Sequence, residues 1–430
     1  MDKQELLNKI ELSEKRCNAF VSEDKKKGSL ADYADLSENG LWADAIEKVL
    51  SENEVLVIPA REEPYLIEHS VKIPSDRRIE AYGAVLKIAD GNRELMFRNA
   101  NTADGTHTPI KVEISDENIA ILGGRYEEPY RGRGGYGTSG MYDNERSYCG
   151  VSTCLYFSNV RGLVLRDLEF AHCAGFAVQT GNITDAVMEN ISFDSCYADG
   201  LHINGGCHNF TIRDIKGSVG DDLVALNAYD WPMSSANFGP IENVLCENLE
   251  LSKECKYPAL RIQPGMYEFN DGSRVDCAVK NVILSDIRGI TTYKMYYQTP
   301  PYKIGEEPRA DNAGTLKNIW FSDINVDLYA PIDALGSYVE SDPECGHFGA
   351  FEICSNSDNI NFENINLISH KDKYPLSHLI YIGRKSVKTD DGWEIFDPYL
   401  EYSVGEINLK NIRIDGIPAD GNQVIYYSKL

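Results

Sequence analysis

Three aspartates have the types and spacing of a catalytic group: Asp199 in YADGLHINGG (197–206), and Asp221 and Asp222 in GSVGDDLVALNAYDW (217–231). Asp199 and Asp222 lie 23 residues apart, which is also the shortest spacing of a repeat that runs along the chain. If one repeat makes one turn of a coil, these two carboxylates sit at equivalent places on adjacent rungs about 4.8 Å apart. Asp221 then shares their turn. Three carboxylates so crowded cannot all ionise freely, and their repulsion raises at least one pKa. A protonated acid beside ionised partners is what cleavage of a glycosidic bond requires, an acid for the leaving oxygen and a base for water. A lone aspartate in a repeat is better read as a turn residue bonded to the backbone. Three in one-coil registry, next to His202 and Arg261, favour a catalytic site.

The positioning elements come from the repeat. Phrases such as NVRGLVLRDLEF (159–170), NITDAVMENISF (182–193), AVKNVILSDIRG (278–289) and TLKNIWFSDINV (315–326) each carry alternating apolar residues around an Asp or Asn. The anchors are Asp167, Asn190, Asp214, Asn248, Asp286, Asp323, Asn364 and Asn411, spaced by 23, 24, 34, 38, 37, 41 and 47 residues. A fixed minimum with variable excess describes stacked β-coils whose insertions leave as loops. Alternation at period two excludes a helical solenoid, because residues i and i+2 share a strand face. The Asp/Asn anchors suit turns, where these side chains bond to backbone and tolerate left-handed geometry. An all-β parallel β-helix is the expected fold.

A second strand series lies between those phrases. Its alternation sends Val178, Leu201, Val224, Leu260, Met295, Phe351, Ile380 and Ile425 inward. Gln179, His202, Ala225, Arg261, Tyr296, Glu352, Tyr381 and Tyr426 then face outward, beside a second outward column of Asn204, Asn227 and Gln263. Such a face reads as a binding groove along the solenoid. From it His202, Asn204, Asn227, Arg261, Gln263, Tyr296 and Glu352 are taken as substrate-binding residues, with Glu352 ~14 Å from Asp222 by rung count. Asp230, Trp231, Tyr257 and Tyr267 are further lining candidates, and Arg125, Arg131 and Arg133 belong to a glycine-rich loop (123–140) expected beside the groove.

With 430 residues and no composition break, the chain reads as one β-helix domain (51–430) behind a small helical N-terminal cap (1–50) over the open end of the stack. A net charge of −25 argues against nucleic acid and anionic membranes. No apolar run reaches the length of a membrane span, and the charged N-terminus lacks a signal peptide's apolar core, so a cytoplasmic location is expected. The eleven cysteines include no pair at metal-ligand spacing. They read as buried reduced thiols, with no metal or cofactor expected.

The motifs ADG (198–200), GDD (220–222) and RIQ (261–263) resemble those of the polygalacturonase family, glycoside hydrolase family 28, whose hallmarks are NTD, G/QDD, GHG and RIK. The segment 55–88 looks like the opening of pectate-lyase-like enzymes. The resemblance implies a right-handed parallel β-helix over residues 40–430, though only about 70 of those residues match in motif detail. It implies Asp221 as general acid, Asp199 and Asp222 as the residues activating water, and inversion at the anomeric centre. Two departures stand out. No GHG lies between Asp222 and Arg261, leaving His202 as the substitute, and Gln263 stands where the family has a uronate-binding lysine. The expected activity is an inverting, exo-acting glycoside hydrolase on pectic or related oligosaccharides, and the oligomeric state is left open. The alternatives are a β-helix lyase, a glycan transferase or isomerase, or a non-catalytic glycan-binding solenoid.

Overall fold

The structure, a computed structural model, describes residues 1–428 except 91, 93–94, 103–107, 110–112, 129–141, 144–145, 148–152, 231–234, 256, 270, 297–312, 333–346, 384–385, 390–391 and 396–401. Its strands pair in parallel from coil to coil to form a right-handed parallel β-helix. One face stacks the strands Asp116–Leu122, Thr153–Ala171, Phe176–Asp194, His208–Gly217, Ile241–Leu251, Val279–Arg288, Thr315–Asp327, Asn356–Ile368 and Ile407–Ile414. The site-bearing face stacks the start of Phe176–Asp194 with Leu201–Asn204, Val224–Asn227, Ala259–Gln263, Thr292–Met295, Phe348–Ile353, Ser377–Ile382 and Ile425–Tyr427.

The Asp/Asn anchors do what their chemistry suggested. All eight have φ between 50° and 60°, the left-handed region these two side chains tolerate best among non-glycine residues. Their side chains also bond from rung to rung: Asn190 donates to Asp167 at 2.7 Å, Asn364 to Asp323 at 2.9 Å, and Asn411 to Asn364 at 2.8 Å. A second row climbs from Asp185 through Asn209, Asn243, Asn281 and Asn318 to Asn359, each amide donating to the oxygen below at 2.8–3.2 Å. These ladders fix where every coil turns, so loops of any length can leave without shifting the stack.

Inside, the apolar column of the site-bearing face is Val178, Leu201, Val224, Leu260, Tyr293, Phe351, Ile380 and Ile425. Tyr293 takes the place expected of Met295, and its ring stacks on Phe351 with centroids 4.3 Å apart. The phrase 294–299 is therefore displaced by two residues. Alternation cannot detect such a slip, because a two-residue shift keeps every side chain on its face. The correction matters outside the coil, where Lys294 rather than Tyr296 pairs with Arg261 and Glu352.

The N-terminal helices divide their work. Helix α2 (Ala43–Glu52) closes the end of the stack, burying Ala43, Ile46, Val49 and Leu50 in the main core. Helix α1 (Lys3–Ser22) instead lies along the flank. An outward column there is apolar at Ala120, Val164, Val187, Leu245, Ile283 and Trp320, and the helix covers it with Leu6, Ile10, Cys17 and Phe20. At 1.5 Å per residue its 20 residues span about 30 Å, roughly six rungs. Ser13 and Arg16 both bond Asp185, each at 2.8 Å, and Glu14 meets Arg213 at 3.2 Å. No helix among the described residues is long and apolar enough to cross a membrane.

Candidate active site

Asp199 and Asp222 occupy equivalent places on neighbouring coils, as the pairing of Leu201 with Val224 two residues later requires. The backbone N–H of Asp222 donates to Asp199 Oδ1 at 3.2 Å, and that of Gly200 to the Asp222 carbonyl at 3.1 Å. Gly220 lets the chain reach this point, since a Cβ there would stand 1.9 Å from the Tyr197 carbonyl oxygen. Asp199, Asp221 and Asp222 each present an oxygen within 4.8 Å of the other two. The cluster is largely enclosed: the side chains of Asp199 and Asp222 are 3% and 1% exposed, against 20% for Asp221. Asp221 is the carboxyl that faces outward.

The cations around the cluster differ in what they hold. His202 lies between two carboxylates, with Nδ1 2.6 Å from Asp199 and Nε2 3.0 Å from Asp230, and its ring stacks on Phe176 at 3.9 Å. Burial disfavours the charged ring, but the bonds to Asp199 and Asp230 outweigh it and raise its pKa to about 9. With both nitrogens facing carboxylates it is an imidazolium at neutral pH, a buried counter-ion for Asp199. Arg261 Nε stands 2.8 Å from Asp222 Oδ2, and a terminal guanidinium nitrogen stands 3.5 Å from Asp221. The closer of these contacts is an ion pair without an aligned hydrogen bond. Lys294, 1% exposed, donates to the Tyr257 hydroxyl.

This environment separates the acids. Burial, then the charges of Asp222 and Asp199, hold the Asp221 carboxyl well above the usual carboxylate range against the pull of Arg261 and Lys294. Asp222 is raised to about 6, mainly by burial and by Asp199, while Arg261, Lys294 and His202 restrain it. The arrangement is one partly exposed carboxyl pushed toward its protonated form next to a carboxylate that ionises as pH rises through about 6. That is the division of labour a glycosidic acid and base need.

The remaining expected residues fall into two groups. Asn204, Asn227 and Gln263 share one outward column, and all three are buried in a polar network. Asn204 Oδ1 accepts from Gln179 at 2.8 Å and from the Ala236 N–H at 2.9 Å, Asn227 donates to Asp230 at 3.1 Å, and Gln263 donates to the Tyr229 carbonyl at 2.7 Å. They brace Asp230 and His202 from behind. Glu352 and Tyr296 bond each other at 3.4 Å and are 1% and 5% exposed, so they lie in covered structure beyond the cluster. The open groove expected along the whole face is covered at Gln179, Lys294, Glu352 and Tyr381 as well.

Lys294 is a candidate site residue that the sequence pattern did not reveal. Its signal was there, because counting from Tyr293 instead of Met295 as the inward aromatic puts the lysine next to Arg261. Asp230, taken only as a possible lining residue, is the second carboxylate on His202. Arg125 does not reach the groove, for it pairs with Glu127 at 2.8 Å and with Glu169 on the coil surface. Tyr267 packs on Phe238 at 4.9 Å. Arg131, Arg133 and Trp231 lie outside the described residues.

The fold has known counterparts. The chain is similar to the polygalacturonase of Erwinia carotovora ssp. carotovora, with a TM-score of 0.52 and 12% sequence identity over 91% of this chain and 95% of that one. It is also similar to an iota-carrageenase complexed to iota-carrageenan fragments (TM-score 0.46, 11% identity, 95% and 92% covered). An endo-xylogalacturonan hydrolase of Aspergillus tubingensis follows at 0.39 and 12%, with 90% and 95% covered. At such identities the likeness is one of fold, the right-handed parallel β-helix. No protein-family profile matches the chain, and no curated protein sequence does.

Proposed function

We propose that the chain is an inverting glycoside hydrolase acting from one end of pectic or related oligosaccharides, with Asp221 as general acid. The observation that carries this reading is the partly exposed carboxyl of Asp221, held well above the usual carboxylate range, with an oxygen within 4.8 Å of two enclosed carboxylates. Asp221 gives its proton to the glycosidic oxygen as that bond breaks. Asp222, with Asp199 beside it, takes a proton from the water that attacks the anomeric carbon. Solvent then returns a proton to Asp221 and removes one from Asp222, closing the cycle.

Carboxylate separation alone would favour retention, since inverting pairs usually stand about 6.5–9.5 Å apart and retaining pairs about 5–5.5 Å. Inversion is preferred here because Asp199 and Asp222 are enclosed and held by His202 and Arg261. They are placed to orient a small water and have no exposed oxygen to bond a sugar carbon. Lys294, itself enclosed, adds positive charge beside Arg261, and that field supports an acidic or partly acidic sugar. The covered column on both sides of the cluster supports a pocket and hence exo action. The same three oxygens could share a cation in a lyase, but Arg261 already supplies positive charge at 2.8 Å. The deciding experiment presents aryl glycosides and pectic oligosaccharides and follows the first-formed anomer by NMR. Release of the inverted anomer, unaffected by EDTA, is expected. The retained anomer would overturn inversion, and an unsaturated uronide product would overturn hydrolysis.

A further inference from the structure

Tyr257 stands just ahead of the strand Ala259–Gln263, on the same coil as Arg261, and is half-buried. Lys294, from the next coil, lies over its ring at 4.6 Å and donates to its hydroxyl. A terminal guanidinium nitrogen of Arg261 reaches the same oxygen at 3.4 Å. Both partners are donors only. The phenol oxygen is therefore used twice as an acceptor, and its own hydrogen is turned away from both cations. Among the described residues no acceptor is bonded to that hydrogen.

The same Arg261 nitrogen stands 3.5 Å from Oδ1 of Asp221. The Asp221 side chain is 20% exposed, yet Oδ1 is enclosed and takes no hydrogen bond, so the oxygen that faces outward is Oδ2. A hydrogen without an acceptor and an oxygen without a donor thus flank one nitrogen. Burial, then the charge of Asp221, keeps the phenol proton in place against the pull of Arg261. The two groups stop short of a formed bond, and catalytic pairs of this kind often tighten only when substrate is bound.

We propose that Tyr257 is a positioning residue for Asp221: its hydroxyl donates to Oδ1 and so leaves the acid's proton on Oδ2, facing the substrate. Asp221 as general acid is the premise of this role. A neutral carboxyl has one oxygen that carries the proton and one that accepts. With a donor fixed on Oδ1, the proton is carried by Oδ2. As that proton passes to the glycosidic oxygen and the bond to the sugar carbon breaks, Asp221 becomes a carboxylate and Tyr257 keeps its own hydrogen. The phenol–carboxyl bond is then charge-assisted and stronger. An interaction that strengthens as the reaction proceeds acts on kcat more than on KM. Lys294 and Arg261 serve the same end, because two donors on the phenol oxygen fix the direction of its hydrogen. The other charged groups facing Asp221 are Asp222 and Asp199.

Tyr257→Phe tests this role, since it keeps the ring under Lys294 and removes the hydroxyl alone. The probes are aryl glycosides and pectic oligosaccharides. For poor, alkoxide-like leaving groups kcat should fall about 10- to 100-fold with KM little changed. The basic limb of the pH profile should move to higher pH, because the Asp221 carboxylate has lost a donor. Aryl glycosides with acidic phenols should keep most of their rate. An unchanged basic limb, or a rise in KM at constant kcat, overturns the proposal. Should the variant fail to fold, 3-fluorotyrosine in place of Tyr257 still decides. Its more acidic phenol is a stronger donor and should move the basic limb to lower pH, and no movement overturns the proposal. Failure of the hydrolase reading looks different: wild type turns over none of these probes, or Asp221→Asn slows both leaving-group classes equally. Either result removes the premise, and the role of Tyr257 falls with it.

Discussion

At the scale of residues, the cluster couples function to pH in two ways. The proposed mechanism needs Asp222 ionised and Asp221 protonated. Activity therefore rises as pH passes about 6 and falls above the raised pKa of Asp221. Lys294 is one of the charges that restrain Asp222, so Lys294→Met is expected to move the acidic limb of the kcat/KM profile to higher pH. Stability carries the same signature with its own sign. Asp222 is raised from 3.8 to about 6 in the folded chain, so the fold binds a proton the unfolded chain does not. That stabilisation is present below pH 3.8 and lost as pH rises through about 6. His202, raised from 6.5 to about 9, contributes about 3 kcal/mol below pH 6.5 that is lost as pH rises through about 9. Asp222→Asn is expected to abolish turnover while flattening the thermal midpoint between pH 4 and 6. A midpoint that keeps its full slope there would show that the proton is held elsewhere.

At the scale of elements, the apolar flank column explains a helix that caps nothing. Ile10, 1% exposed, packs with Leu6 on Leu245 and Ile283. Ile10→Asp buries an unpaired charge and should cost about 3 kcal/mol, read from the denaturant midpoint, with the catalytic cluster unaffected. A shift of only a few tenths would mean that α1 is not docked in solution. What could be read from the sequence follows the same lines. The Asp/Asn anchors were legible because left-handed turns admit few residue types, and the registry of Asp199 with Asp222 followed from the minimal coil of 23 residues. The placing of Lys294 was not legible, because both Tyr293 and Met295 satisfy the alternation and only packing against Phe351 chooses between them. The docking of α1 was equally hidden. The column it covers, from Ala120 to Trp320, is assembled from single residues in six separate strands.

For the whole molecule, the solenoid supplies a rigid wall, and among the described residues three carboxylates come together at one place on its outward face. The column is enclosed at Gln179 on one side of the cluster and at Lys294 and Glu352 on the other, which leaves Asp221 as the one partly exposed acid of the three. On the proposed exo reading a substrate chain enters end-on. Early products from a defined oligosaccharide should therefore be a single terminal unit and a chain shortened by one. A spread of internal fragments at early times would show that the face opens into a groove.

The central claim is that Asp221 delivers the proton to the leaving group, and the leaving-group dependence of Asp221→Asn measures this most directly. The amide cannot give up a proton, so glycosides with poor, alkoxide-like leaving groups should slow by 10³-fold or more, on the order of 4 kcal/mol in barrier. Aryl glycosides with acidic phenols, which leave without help, should retain most of their rate. An equal loss for both classes, or no loss for either, would contradict the account.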